Sequence, residues 1–324
     1  MEAKARAAWK TVPEINIMKK SWFYILLTLA TLGATSACTA ATILYPVVVG
    51  GRWGYVDKSG AIVINPQFDR AEIFAEGLAP VKMGKWGFVD PAGKIAINPQ
   101  FDLADGFSEG LAAVRMGGGG PGPFDDPRPW SPWHGGGGGR YGYIDTGGKY
   151  IINPQFDDAG AFSDGLAPVK MGKWGFVDKA GKTIINPQFD RAHSFSEGLA
   201  AVRVGGKWGF VDKSGKLIIN PQFDEAGDFV KGLAPAKQGK HWGYISPDGK
   251  FVIDPQFDEA GDFAEGLAPV KQGHWGFADA TGKMAIKAQF DEAMPFTGGL
   301  ASVKVGGKFG YVNASGKYVY NPTK

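Results

Sequence analysis

An aromatic-glycine pair recurs along the chain at Trp53, Trp86, Tyr141, Trp174, Trp208, Trp242, Trp275 and Phe309, each followed directly by Gly. Successive pairs lie 33 or 34 residues apart except for one gap of 55, and a fixed period near 34 divides the 324 residues into repeated small units rather than two ordinary domains. The long gap holds an insertion of about 22 residues.

Each copy runs in one order: Leu-Ala-Pro-Val-Lys-x-Gly, Lys-Trp-Gly-Phe-Val-Asp, Gly-Lys-x-x-Ile-Asn-Pro, then a connector Gln-Phe-Asp-x-Ala-x-x-Phe-Ser-Glu-Gly. Aligning Leu44–Gly51 with Leu199–Gly206 sets the phase, and on it the eighth copy is expected to stop short, after Asn321-Pro322. In Lys207–Asp212 the side chains of Trp208 and Phe210 share one strand face, Val211 takes the other, and Gly209 leaves room for a neighbouring backbone or ring. Asp212-Lys213-Ser214-Gly215 has Asp first and Gly fourth, the chemistry of a type I turn closing a hairpin through a left-handed fourth residue. Asp90-Pro91-Ala92-Gly93, Ser246-Pro247-Asp248-Gly249 and Asn313-Ala314-Ser315-Gly316 keep that chemistry. The next strand is expected to run from Lys216 and to end at Pro221, which has no N–H for a ladder. In the connector Phe223, Ala226 and Phe229 are three apart, which fits a helical turn or a tight loop that drops two rings onto the sheet.

The expected fold is therefore all-β, a tandem array of about eight three-stranded or hairpin units, open and twisted like a solenoid; the alternative is a closed, propeller-like ring of eight blades. One unit has too few large apolar residues to offset the entropy of ordering it, so neighbours must stack. With Trp and Phe needed for that burial, the repeated rings are read as core rather than as a sugar-binding ladder.

The first residues read differently. Lys19-Lys20 precede an apolar run from Trp22 to Leu32, and Ala34-Thr35-Ser36-Ala37 follow, the pattern of a signal segment with a cleavage region. Met18 is a natural start for it. Thr35-Ser36-Ala37-Cys38 resembles the bacterial lipobox, which implies lipidation at Cys38, although Thr35 stands where that pattern prefers Leu. The chain thus divides into a targeting segment (1–38), repeats (44–116), a Gly/Pro/Trp-rich insertion (117–139) and further repeats (140–322), with export to the periplasm, outer membrane or cell surface expected.

Residues 1–37 hold five basic and two acidic side chains, which leaves 30 of each sign over the rest. A balanced body gives no electrostatic footprint for nucleic acid. Cys38 is the one cysteine, so the repeats form no internal disulfide.

Catalytic residues normally occur once, whereas Asp69, Asp102, Asp157, Asp190, Asp224, Asp258 and Asp291 recur in successive copies and read as turn or cap residues. None of the four histidines accompanies a nucleophile motif. His241 and His274 precede the Trp of adjacent copies and read as exposed strand residues, since two ligands make no metal site. No catalytic residue, metal or cofactor is expected. The insertion carries Phe124, Trp130, Trp133 and His134, a candidate binding loop, because exposed aromatics away from a core are costly unless a partner covers them.

The Trp-Gly pairs, with Asn-Pro-Gln-Phe-Asp and Glu-Gly-Leu-Ala-Pro-Val, resemble the WG (KWG) repeats of bacterial proteins over residues 44–322. Departures are Tyr141 and Phe309 for Trp, Lys287-Ala288 for Asn-Pro and Gly298-Gly299 for Glu-Gly. The resemblance implies a β-rich array on secreted proteins with no common activity. The functional expectation is a non-enzymatic binding or scaffolding protein of the cell envelope that recognises protein or glycan; a structural spacer is the alternative, and a hydrolase of envelope polymers a third reading.

Overall fold

Consecutive strands joined by tight turns pair antiparallel and locally, and the repeat accordingly folds into one small sheet per copy. The computed structural model describes residues 44–57, 61–118, 138–296 and 298–320; Cys38, Phe124, Trp130, Trp133 and His134 lie outside the described residues. The chain separates into two compact units, Met1–Ala161 and Phe162–Lys324.

The first unit holds a three-stranded sheet (Tyr45–Val49, Arg52–Val56, Ile62–Phe68) and two four-stranded ones. The second of these, Leu103–Ala104, Leu111–Met116, Arg140–Asp145 and Tyr150–Phe156, flanks the insertion. Arg140 still pairs with Met116 and Asp145 with Leu111, so the hairpin keeps its register across the inserted residues. In the second unit Leu166–Met171, Lys173–Asp178 and Thr183–Phe189 pair in order, and four four-stranded sheets follow. All eight sheets are antiparallel.

Every sheet but the first has four strands, as a propeller blade has, which agrees with the second of the two architectures expected and adds a strand to the three-stranded unit. The difference lies in the connector. In the sheet Arg191–Ala192, Leu199–Val204, Lys207–Asp212, Leu217–Phe223, the two-residue strand pairs Arg191 with Arg203 and Ala192 with Val202. Two residues carry no periodicity, so the fourth strand left no trace in the sequence pattern.

The strand expected to end at Pro221 instead runs on to Phe223. Trp208 pairs with Phe223 and Phe210 with Ile219, so Asn220-Pro221-Gln222 bulges opposite Gly209. A Cβ on Gly209 would lie 2.4 Å from the Ile219 carbonyl oxygen and 2.7 Å from the Pro221 nitrogen. Pro is tolerated because a bulge asks no ladder bond of it, and Gly is required because the bulge backbone lies against it. The same contact recurs at Gly54, Gly87, Gly142, Gly175 and Gly243.

The expected turn is present. The Gly215 N–H donates to the Asp212 carbonyl at 2.9 Å with Gly215 at φ 84°, and Asp212 Oδ1 accepts from the N–H groups of Ser214 and Lys216. Neighbouring copies meet at this turn: Ile185, buried at the end of Thr-Ile-Ile, packs on Gly215, and Ile219 packs on Gly249. The connector is a tight loop rather than a helical turn, and it sets Phe229 against Phe210 with ring centroids 4.9 Å apart. Phe195 on Phe176 and Phe263 on Tyr244 repeat the contact at 4.8 Å. Trp53, Trp86, Tyr141, Trp174 and Trp208 are buried, while Trp242 and Trp275 are half-buried beneath Lys237 and Lys271.

Candidate functional site

The repeated acids have work within the fold. Asp224 Oδ2 accepts from the Gly239 N–H at 2.7 Å, and its other oxygen pairs with Lys207. Asp69, Asp102, Asp190, Asp258 and Asp291 accept from the turn N–H groups of Gly84, Gly118, Gly205, Gly273 and Gly306 in the same way. Asp157 pairs with Arg140. The Lys207 ammonium first, and then the Gly239 N–H, hold the Asp224 carboxyl below the ordinary carboxylate range. Each of these Asp residues other than Asp157 thus ties the hairpin that follows it.

His241 and His274 are exposed first residues of their strands, and His241 Nδ1 lies 4.0 Å from Asp258 Oδ1. Among the described residues no group of three or more His, Cys, Asp or Glu side chains could hold a metal ion.

A second connector motif orders the loops. Ser196-Glu197-Gly198-Leu199 is a two-residue hairpin turn: the Ser196 N–H and Leu199 carbonyl bond at 2.8 Å, with Glu197 at φ 54° and Gly198 at φ 81°. Two positive φ values in succession twist the turn to match its strands, and Gly198 accepts that geometry where a side chain would strain it. The N–H groups of the two central residues point away from the turn. The Glu197 carboxylate reaches the turn one repeat on and accepts from Lys231 N–H at 2.7 Å and Gly232 N–H at 2.9 Å. Glu76 clasps Glu109 and Gly110 at 2.7 and 2.8 Å. Asp164 and Glu265 each reach one Gly, Gly198 at 2.8 Å and Gly299 at 2.9 Å.

What does not repeat gathers just before the connector Phe. In the second unit these positions hold His193-Ser194, Gly227-Asp228 and Gly261-Asp262 ahead of Phe195, Phe229 and Phe263. His193 Nδ1 lies 2.9 Å from Asp228 Oδ1, both side chains nearly buried, and the His193 ring meets Trp208 edge-on at 4.9 Å. A carboxylate has no proton to give, so Nδ1 is the donor. The Asp228 backbone N–H in turn donates to the Asp262 carboxyl. Gly227 makes room for that carboxyl, since a Cβ there would lie 3.0 Å from Asp262 Oδ1. Burial first, and the neighbouring Asp228 carboxylate second, push the Asp262 carboxyl well above its ordinary pKa. Asp262 keeps some residue surface exposed, yet its carboxyl is enclosed by protein atoms; the enclosure governs its titration.

The result is a row, one polar group per repeat across these three copies, of an imidazole, a carboxylate and a carboxyl whose pKa is raised. It offers both donors and acceptors, and can engage a hydroxyl, an amide or a second charged group. In the first unit another polar group lies on the strands Leu111–Met116 and Arg140–Asp145. Buried Arg115 has its guanidinium 6.0 Å from the centre of the Tyr141 ring, and Asp105 and Asp158 act with burial to raise the Tyr143 hydroxyl's pKa.

Neither His193, Asp228, Asp262 nor the clasp was singled out by motif reading, because each is visible only as a departure from the repeat or as a contact one repeat away. Alignment of the copies against one another is the signal that exposes them.

A family description, WG containing repeat, matches seven segments: 53–85, 86–119, 141–173, 174–208, 208–240, 242–273 and 275–309. No curated protein sequence matches. A crystal structure titled eukaryotic initiation factor is similar in fold, with TM-score 0.55, 11% identity, and 86% of this chain and 84% of that one covered. Kluyveromyces lactis Hsv2 gives TM-score 0.45 at 8% identity over 81% of this chain and 89% of its own. The extracellular domain of the putative hybrid two component system BT4673 from B. thetaiotaomicron gives TM-score 0.42 at 11% identity over 79% and 41%.

Proposed function

We propose, for this chain that belongs to the WG-containing repeat family, a non-enzymatic binding role: a scaffold of the bacterial cell envelope that recognises protein or glycan through the loops of its repeats. The observation that carries this reading is the division of labour among residues. Trp, Phe, Gly and Asp of the motif are largely taken up by the sheets and turns, with Trp53, Trp86, Tyr141, Trp174 and Trp208 buried, which speaks against a ladder of repeated rings as the ligand surface. The polar departures His193, Asp228 and Asp262 instead lie in one row on the connector, where sequence is free to differ from copy to copy.

Envelope placement is part of the proposal and rests on the Lys19-Lys20 start, the apolar run and Cys38, with lipid on Cys38 as the anchor. Phe124, Trp130, Trp133 and His134 of the insertion form a second contact region on the same reading. No cofactor takes part. The test is capture from envelope extract, alongside a glycan array, with wild-type chain, a His193→Ala/Asp228→Asn double variant and a chain lacking residues 118–138. A partner retained by wild type and lost by either variant at unchanged melting temperature supports the role. Equal behaviour of all three, with no specific partner, leaves a spacer and removes the binding role.

A further inference from the structure

The clasp that joins successive turns fails at one place in the second unit. Along the connectors the clasping position is Glu76, Glu109, Asp164, Glu197, Lys231 and Glu265, and all six have φ between 52° and 56°. Lys231 is the one member without a carboxylate. It lies one repeat before the turn Ala264-Glu265-Gly266-Leu267, whose end residues bond each other at 2.8 and 3.1 Å and whose Glu265 and Gly266 have φ 54° and 89°. That turn matches the clasped ones, so the Glu265 and Gly266 N–H groups point outward as those of Glu109 and Gly110 do. At the repeat position from which Glu76 reaches that pair of donors, Lys231 carries an ammonium in place of a carboxylate. Lys231, Glu265 and Gly266 are all exposed, and among the described residues no side chain accepts from the two N–H groups.

We propose that the Glu265-Gly266 turn, together with Lys231, is a docking site for a glutamate side chain of a partner polypeptide. Two adjacent N–H groups held in a left-handed turn form an anion-binding concavity. In this protein that concavity is filled twice by both oxygens of a glutamate, at 2.7 and 2.8 Å and at 2.7 and 2.9 Å, which is why the occupant assigned is a glutamate rather than another anion. Lys231 reverses the local charge, from repelling an outside carboxylate to attracting one, and adds a third, charge-assisted donor. The site is separate from the His193–Asp262 row and stands or falls without it.

Amide spectra of the full, isotope-labelled chain test the assignment. Titration with acetyl-Gly-Glu-Gly-amide should move the Glu265 and Gly266 N–H resonances downfield, while the Gln counterpart leaves them in place. Lys231→Ala should weaken the response about tenfold, as expected for loss of one charge-assisted bond. Lys231→Glu restores the repeat and should clasp the turn internally: the two resonances shift toward the positions of Glu109 and Gly110, exchange with solvent at least tenfold more slowly, and ignore the peptide. His193→Ala should leave the response intact. Resonances unmoved by the Glu peptide, or moved equally by the Gln peptide, overturn the proposal. So does a stronger response to inorganic phosphate or glucuronate, which would reassign the site to another anion, or a Lys231→Glu chain whose two amides stay unprotected.

Discussion

The hairpin and the connector of each repeat answer to different constraints. In the hairpin, Trp208-Gly209-Phe210 and Ile219-Asn220-Pro221 make the contacts that Trp86-Gly87-Phe88 and Ile97-Asn98-Pro99 make, because backbone lies on backbone and only one arrangement fits. In the connector, Glu72, Asp105, Gly160, His193, Gly227 and Gly261 occupy one position with three kinds of chemistry between them, carboxylate, imidazole and no side chain at all. The two aromatic anchors Phe223 and Phe229 and the buried Ala226 hold the loop, and the two positions before Phe229 are the ones that differ from copy to copy. Uniformity thus marks where this chain folds, and variation marks where the proposed recognition would lie.

That contrast breaks first at Gly209. Gly209→Val would drive a side chain into the Asn220-Pro221 backbone, and a backbone clash has no rotamer that relieves it. Denaturant melts should show a loss of about 4 kcal/mol or more, or a chain that does not fold. An exposed connector site such as Lys231→Ala should stay within about 0.5 kcal/mol of wild type. Equal effects would mean the bulge can move and that the hairpin is not the rigid half.

The rings give a graded test. Trp208 is 7% exposed and central, so Trp208→Ala should cost about 3–5 kcal/mol in the same melts. Trp275 is half-buried under Lys271, and Trp275→Ala should cost about half as much. A Trp208→Ala chain that melts like wild type and loses a partner would make that ring a ligand platform.

The smallest effect concerns pH. The folded Asp262 carboxyl titrates well above its unfolded value, so the folded state holds a proton that the unfolded state releases. Stability must then fall as pH rises from the ordinary carboxylate range toward the raised pKa, the reverse of an ion-paired Asp such as Asp224. Asp262→Asn should flatten that decline in urea melts between pH 4 and 8. A slope unchanged by the substitution would mean the carboxyl ionises freely and that the row is solvated.

The sequence by itself determined the period, the all-β class, the Asp-x-x-Gly turn and the burial of most of the repeated rings, because each rests on residues a few positions apart whose geometry is local. Gly209 was legible as a place of close approach for the same reason. The tertiary structure decided what local pattern cannot encode. The fourth strand has only two residues, and its pairing of Ala192 with Val202 depends on a partner ten residues on. Pro221 remained in the strand because a bulge across the sheet needed no donor from it. The clasp of Glu197 on Gly232, and the His193–Asp228 contact, join residues 35 apart, a full repeat, where neither propensity nor periodicity acts and only the stacking of one copy on the next brings the groups together. The break at Lys231, a single changed residue that motif reading passed over, acquired meaning only once the other turns showed what a carboxylate does there.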